Sequence, residues 1–122
     1  MANELSMNFV AQLTNGFLEE SFSVGGLRVD QNDAGSHNPV LIIGTTEEVV
    51  SFGDVAVPGY AFFRNIDTDN AIHIGPQSAG ALVNFITLLP GEFAVLRLHA
   101  SVIVRAKADD YPSKLKMLLL ED

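Results

Sequence analysis

The stretch Leu5-Ser6-Met7-Asn8-Phe9-Val10-Ala11-Gln12-Leu13, running into Asn15-Gly16, sets the terms for the fold. Leu5, Met7, Phe9, Ala11 and Leu13 alternate with Ser6, Asn8, Val10 and Gln12, the period of a half-buried strand. Asn15-Gly16 is a strong short-range hairpin signal, because both positions tolerate a positive φ. A two-residue turn there places Leu13 opposite Leu18, Phe9 opposite Phe22 and Met7 opposite Val24, with Glu20 opposite Ala11. The three apolar pairs fall on one face. A helix using Leu5, Phe9 and Leu13 is the competing reading of the same residues.

Further along, Gly25-Gly26 predicts a turn or bulge before a short strand, Leu27 to Asp30. Gln31 to Pro39 is polar and predicts an exposed loop. Val40 to Ile43 is an apolar, mostly β-branched run that reads as a buried strand, and Val49 to Phe52 resumes it after Gly44 and Glu47-Glu48. Pro58-Gly59 reads as a turn before a strand from Tyr60 to Ile66. Asp67 to Asn70 is a second turn before Ala71 to Ile74. Gly75 to Gly80 reads as a loop before Leu82 to Leu88, and Pro90-Gly91 turns the chain into Phe93 to Leu98. Val102, Val104, Ala106 and Ala108 point inward from the next strand, with Ile103, Arg105 and Lys107 outward. After Asp109 to Pro112 comes a last strand, Lys114 to Leu120. Short strands at this spacing predict an all-β fold, a β-sandwich or jelly-roll-like single domain over residues 1–122, with 1–26 as a hairpin or arm.

In the last strand, Leu115, Met117 and Leu119 face the core, which sends Leu118 and Leu120 to the outer face. Apolar residues there point to a contact surface, unless a loop or the N-terminal hairpin covers them.

The chain has 122 residues, 48% of them hydrophobic and 18% charged, which suits one packed domain rather than disorder. It has no cysteine, so disulfides, thiolate metal sites and thiol nucleophiles are excluded. The net charge is −8, and the seven basic residues are dispersed along the chain, which argues against nucleic acid as a partner. No apolar run approaches the length of a membrane-spanning helix, and Met1 to Glu4 lack the charged start of a signal peptide.

Candidate chemistry is sparse. His37, His73 and His99 match no zinc spacing. Asp67, Asp69 and Asn70 resemble the opening of a calcium loop, with a weak Ca²⁺ site at Asp67 and Asp69 as one reading. A central glycine and a bidentate glutamate are missing at the required positions, and an Asx-type turn explains the same residues. Gly75 and Gly80 have the outer spacing of a phosphate loop without its lysine. Glu19-Glu20, Glu47-Glu48 and Asp109-Asp110 are sequence neighbours; adjacent strand residues face opposite sides, so such pairs make no acid/base dyad unless they lie in a turn, and they read as solvated turns and sheet edges. No G-x-S-x-G elbow is present. No catalytic, cofactor-binding or metal residues are assigned, and no cofactor is expected.

A resemblance covers a little over half the chain. It is carried by Pro58-Gly59-Tyr60, Arg64-Asn65-Ile66-Asp67 with Asn70, and Ile74-Gly75. Leu89-Pro90-Gly91-Glu92, Leu96-Arg97, Ala106-Lys107-Ala108 and the strand from Leu115 to Glu121 continue it. In these residues the chain resembles small virion structural proteins of tailed bacteriophages, of the capsid decoration (cement) kind. The resemblance implies a non-enzymatic protein made in the host cytoplasm and located in the virion. It further implies a homo-oligomer, a trimer, on the outer surface of the major capsid protein shell. A tail or baseplate component and a small carbohydrate-binding β-sandwich are the alternatives, the latter thinly supported by Tyr60 and Tyr111 with no Trp.

The residues of the resemblance also have a physical reading. Asn65 and Asp67 can hold a tight turn, and Pro90-Gly91 the next reversal. Arg64 and Arg97 either face outward or need an acid such as Asp67 or Glu92. Leu5, Met7 and Phe9 of the N-terminal segment, with Leu118 and Leu120, are the expected interface residues.

Overall fold

The computed structural model describes residues 4–31 and 33–122; Met1 to Asn3 and Asn32 of the polar loop lie outside the described residues. Among the described residues twelve strands follow one another: β1 (Leu5–Asn15), β2 (Leu18–Val29), β3 (Ser36–His37), β4 (Val40–Ile43), β5 (Glu48–Val49) and β6 (Pro58–Asn65), then β7 (Ile72–Ser78), β8 (Ala81–Leu82), β9 (Ile86–Leu88), β10 (Phe93–Arg97), β11 (Val104–Ala108) and β12 (Ser113–Glu121). No helix occurs among the described residues. The chain divides into two compact units, Met1–Asn32 and Asp33–Asp122, so the N-terminal arm extends past residue 26.

The first unit is the antiparallel hairpin of β1 and β2. Its turn is Gly16-Phe17 rather than Asn15-Gly16, since Asn15 pairs with Leu18. Gly16 has φ of 60° while Phe17 stays negative, the type II′ pattern with glycine at the first central position. The predicted partners therefore move by two: Leu13 opposes Glu20, Ala11 opposes Phe22 and Phe9 opposes Val24. A shift of two leaves every side chain on its predicted face. Phe9 and Phe22 still meet diagonally, ring edge to ring face, with centroids 6.3 Å apart.

Of the turn or bulge expected at Gly25-Gly26 the structure forms the bulge, and it lies inside β2, which continues to Val29 in place of a separate strand from Leu27 to Asp30. Between the pairs Met7–Leu27 and Phe9–Val24, β2 uses one residue more than β1. Gly26 takes φ of 64°, and its N–H donates to Asn8 Oδ1 at 2.8 Å. The extra residue puts Leu27 and Val29 on the same face as Val24 and Phe22; in plain alternation they would lie on the opposite one.

The second unit has two antiparallel sheets. One runs β10-β6-β12, and the far edge of β12 pairs with β3 at one end and β4 at the other. The other runs β5-β11-β7, and the far edge of β7 pairs with β8 and β9. Period-two alternation directs Ala61 and Phe63 of β6 and Leu115, Met117 and Leu119 of β12 into the interior. Ile72 and Ile74 of β7, Leu88 of β9 and Val104, Ala106 and Ala108 of β11 join them in one buried core. Each large aliphatic or aromatic side chain buried there contributes about 1.5–3 kcal/mol of transfer free energy.

Several predicted boundaries move. Pro58-Gly59 is not a turn but the buried start of β6, where a proline is tolerated because it opens the strand. Ser36–His37 forms a short strand within the predicted polar loop. The expected loop from Gly75 to Gly80 is mostly strand, because β7 continues to Ser78 and reverses at Ala79-Gly80, with φ of 52° and 75°. Leu82 to Leu88 is broken into β8 and β9. Val83 bulges toward β7, and its carbonyl oxygen lies 1.8 Å from where a Cβ on residue 75 would sit. Only a glycine admits that approach.

Candidate interaction surfaces

Two apolar surfaces stand out, one on each unit. On the hairpin, Leu5, Met7, Phe9, Ala11 and Leu13 share a face with Leu18, Phe22, Val24, Leu27 and Val29. Leu5 and Met7 are half-buried, whereas Leu13, Leu18, Phe22 and Leu27 are exposed. Glu20, opposite Leu13, is the one charged residue on this face, and it is exposed. Phe17 projects fully from the tip, with a relative exposure of 110%. The other face carries Ser6, Gln12, Thr14, Glu19, Ser21, Ser23 and Arg28, with exposed Val10 its one large apolar residue.

On the second unit, β10, β6, β12 and β4 turn mixed apolar and cationic rows outward. Val95, Phe62 and Leu118 form one row across three strands. Arg64, Lys116 and Val40 lie in the next, with Lys114 beside Ile42 beyond it. Tyr60 pairs with Arg97, whose guanidinium sits 4.7 Å from the ring centroid and 3.3 Å from Asp122 Oδ1. Both arginines thus face outward, and the acid near Arg97 is Asp122 rather than Asp67 or Glu92. Leu118 and Leu120 are half-buried on this face, as the alternation of β12 requires. The expected interface residues therefore form two groups, each contiguous on its own unit.

Basic residues scattered in sequence are gathered here: Arg64, Arg97, Lys114 and Lys116 are four of the seven. Lys116 donates to Asn38 Oδ1 at 3.1 Å, and Arg64 and Lys114 have no acidic partner among the described residues. The i, i+2 spacing of Lys114 and Lys116 was visible in the sequence; their meeting with Arg64 depends on cross-strand register.

The polar clusters have local structural roles. Asp67 Oδ2 accepts from the N–H groups of Asp69 and Asn70 at 3.0 and 2.8 Å and from the Tyr111 hydroxyl at 3.2 Å. This is the Asx-type turn, and the Asp69 N–H foremost holds the Asp67 carboxyl below its ordinary range. His73, between buried Ile72 and Ile74, has Nε2 2.6 Å from Asp109 Oδ1 and Nδ1 3.2 Å from Thr87 Oγ1. Sequence reasoning missed this pairing, because Asp109 lies past the end of the neighbouring strand. His37 lies in β3 and His99 beside Ser101, so the three histidines occupy separate elements. No group of three His, Asp or Glu side chains placed to hold a metal occurs among the described residues. An apolar cleft of about 190 Å³ lies against Phe63, Ile74, Phe85, Leu96 and Val102.

No family model, no curated protein and no solved structure matches this chain.

Proposed function

We propose that the protein is a non-enzymatic structural component of a tailed-bacteriophage virion, a capsid decoration protein that binds the outer surface of the major capsid protein shell and reinforces it. The observation that carries this reading is the hairpin, whose apolar face includes exposed Leu13, Leu18, Phe22 and Leu27. A two-stranded hairpin is at best marginally stable alone in water, so such a face gains stability when another surface covers it. The residues of the resemblance support the choice of assembly. Asn65, Asp67 and Asn70 form a hydrogen-bonded turn, and Leu89 to Glu92 a tight reversal with Gly91 at φ of 83°.

In this reading the second unit is a β-sandwich, since two antiparallel sheets contribute to one core, and a jelly roll is the finer form that the resemblance implies. The assembly is a homotrimer, and the net charge of −8 suits an exterior surface better than one lining packaged DNA. The test is immunogold labelling of particles made from the genome that encodes the chain, followed by imaging. Label spread over the head supports the proposal. Label confined to the tail would transfer the protein to the tail or baseplate, and unlabelled particles would remove it from the virion.

A further inference from the structure

The hairpin's apolar face and the outer face of β10, β6, β12 and β4 complement each other in both polarity and charge. We propose that the hairpin of one copy lies, apolar face down, on this sheet face of a second copy, with Glu20 seated among Arg64, Lys114 and Lys116. The inference rests on the assembly reading above and names the partner.

Three observations support a second copy as the occupant. First, the apolar surfaces match, with Leu13, Leu18, Phe22 and Leu27 on one and Phe62, Val95, Leu118 and Ile42 on the other. Second, Glu20 is the single carboxylate on an otherwise uncharged face, and covering it with apolar surface alone would strip its hydration with nothing to offset the loss. The sheet face supplies the cations that offset this, and Arg64 and Lys114 have no acidic partner among the described residues. Third, the chain carries 15 acidic and 7 basic residues, so copies repel in most orientations, while this face concentrates four of the basic ones. That charge pattern favours one docking geometry and disfavours others. Strands of 11 and 12 residues reach about 35 Å at about 3.3 Å per residue, enough to cross a sheet of strands spaced about 4.8 Å apart.

The test uses three full-length proteins in sedimentation velocity over a hundredfold range of concentration: wild type, Glu20→Lys, and the double variant Arg64→Glu/Lys116→Glu. Wild type is expected to self-associate, and each variant alone to associate at least about tenfold more weakly. Mixed in equal amounts, the two variants should recover association, because each hairpin then meets a face of opposite charge. A folding defect cannot produce recovery confined to the mixture. A monomeric wild type, variants that associate like wild type, or a mixture without recovery each overturns the inference. A monomeric wild type would also be the result if each hairpin covered its own chain or an acidic surface of another protein. The two proposals fail separately: labelled heads with a monomeric protein refute the docking alone, and recovery with unlabelled particles refutes the virion reading alone.

Discussion

The Asn65 side-chain amide donates to the Asn70 carbonyl at 2.8 Å, tying the end of β6 to the far side of the turn that follows it. The same Nδ2 donates to the Leu88 carbonyl at 2.9 Å, and Oδ1 accepts the Asp67 N–H at 2.9 Å. Asn65 is fully buried, so water cannot replace these bonds. Asn65→Ala should destabilise the protein by about 2–4 kcal/mol in urea unfolding. Asn65→Asp should cost more at neutral pH, because a carboxylate would face two carbonyl oxygens, and the gap should narrow in acid. An aspartate variant as stable as wild type would contradict this geometry.

Asp67 gives the acid limb a sign. Its folded pKa lies below the ordinary 3.8, chiefly through the Asp69 N–H. The associated stability is therefore present above the unfolded-state value and lost as pH falls through the folded one. Asp67→Asn keeps a side-chain oxygen for the turn but does not titrate. Its unfolding midpoint should fall less steeply than that of wild type below about pH 4. Equal slopes would show that Asp67 does not contribute to acid unfolding.

The Tyr111 hydroxyl shares that carboxylate, and burial foremost, with the Asp67 charge next, raises its pKa above the ordinary 10.0. Ultraviolet titration of wild type minus Tyr111→Phe should show a phenol ionising late. In the Asp67→Asn background the same difference should move to lower pH. A difference curve centred on the ordinary value would refute the contact.

Gly75→Ala sets a methyl group against the Val83 carbonyl, a backbone atom that cannot rotate away. The β7–β8–β9 edge must then part, and a loss of at least about 2 kcal/mol is expected by thermal or urea unfolding. Ala79→Asn acts in the opposite sense. Residue 79 is exposed with φ of 52°, a conformation that strains alanine and suits asparagine before glycine in a type I′ turn. A gain of about 0.5–1 kcal/mol should follow.

Alternation was legible in the sequence where the wet side of a strand is polar, but not in β4, where exposed Val40 and Ile42 are apolar and made the run read as buried. Val104, Ala106 and Ala108, and then Leu115, Met117 and Leu119, read directly as core. Turns with a single structural solution were legible too, such as Pro90-Gly91. The hairpin register was not, because in Asn15-Gly16 the glycine can take either central position, and only the observed pairing shows that it leads. Pro58 and Gly75 misled for a related reason: both types punctuate turns more often than they open or thin a strand. The surfaces divide in the same way. Leu118 and Leu120 follow from counting along β12, whereas the meeting of Arg64 with Lys116 requires knowing which strands are neighbours.

The bulge at Gly25-Gly26 has a consequence for how the hairpin can change in length. One surplus residue corrects the phase of Leu27 and Val29, so deleting either glycine would rotate the stem of β2 by half a turn and set its leucine and valine among the serines. Inserting a single residue between Leu18 and Val24 would do the same to the tip. Insertions or deletions of even size preserve the two-sided character of the hairpin, and odd ones reverse it on one side of the change. The arm is free to vary in length but bound in parity.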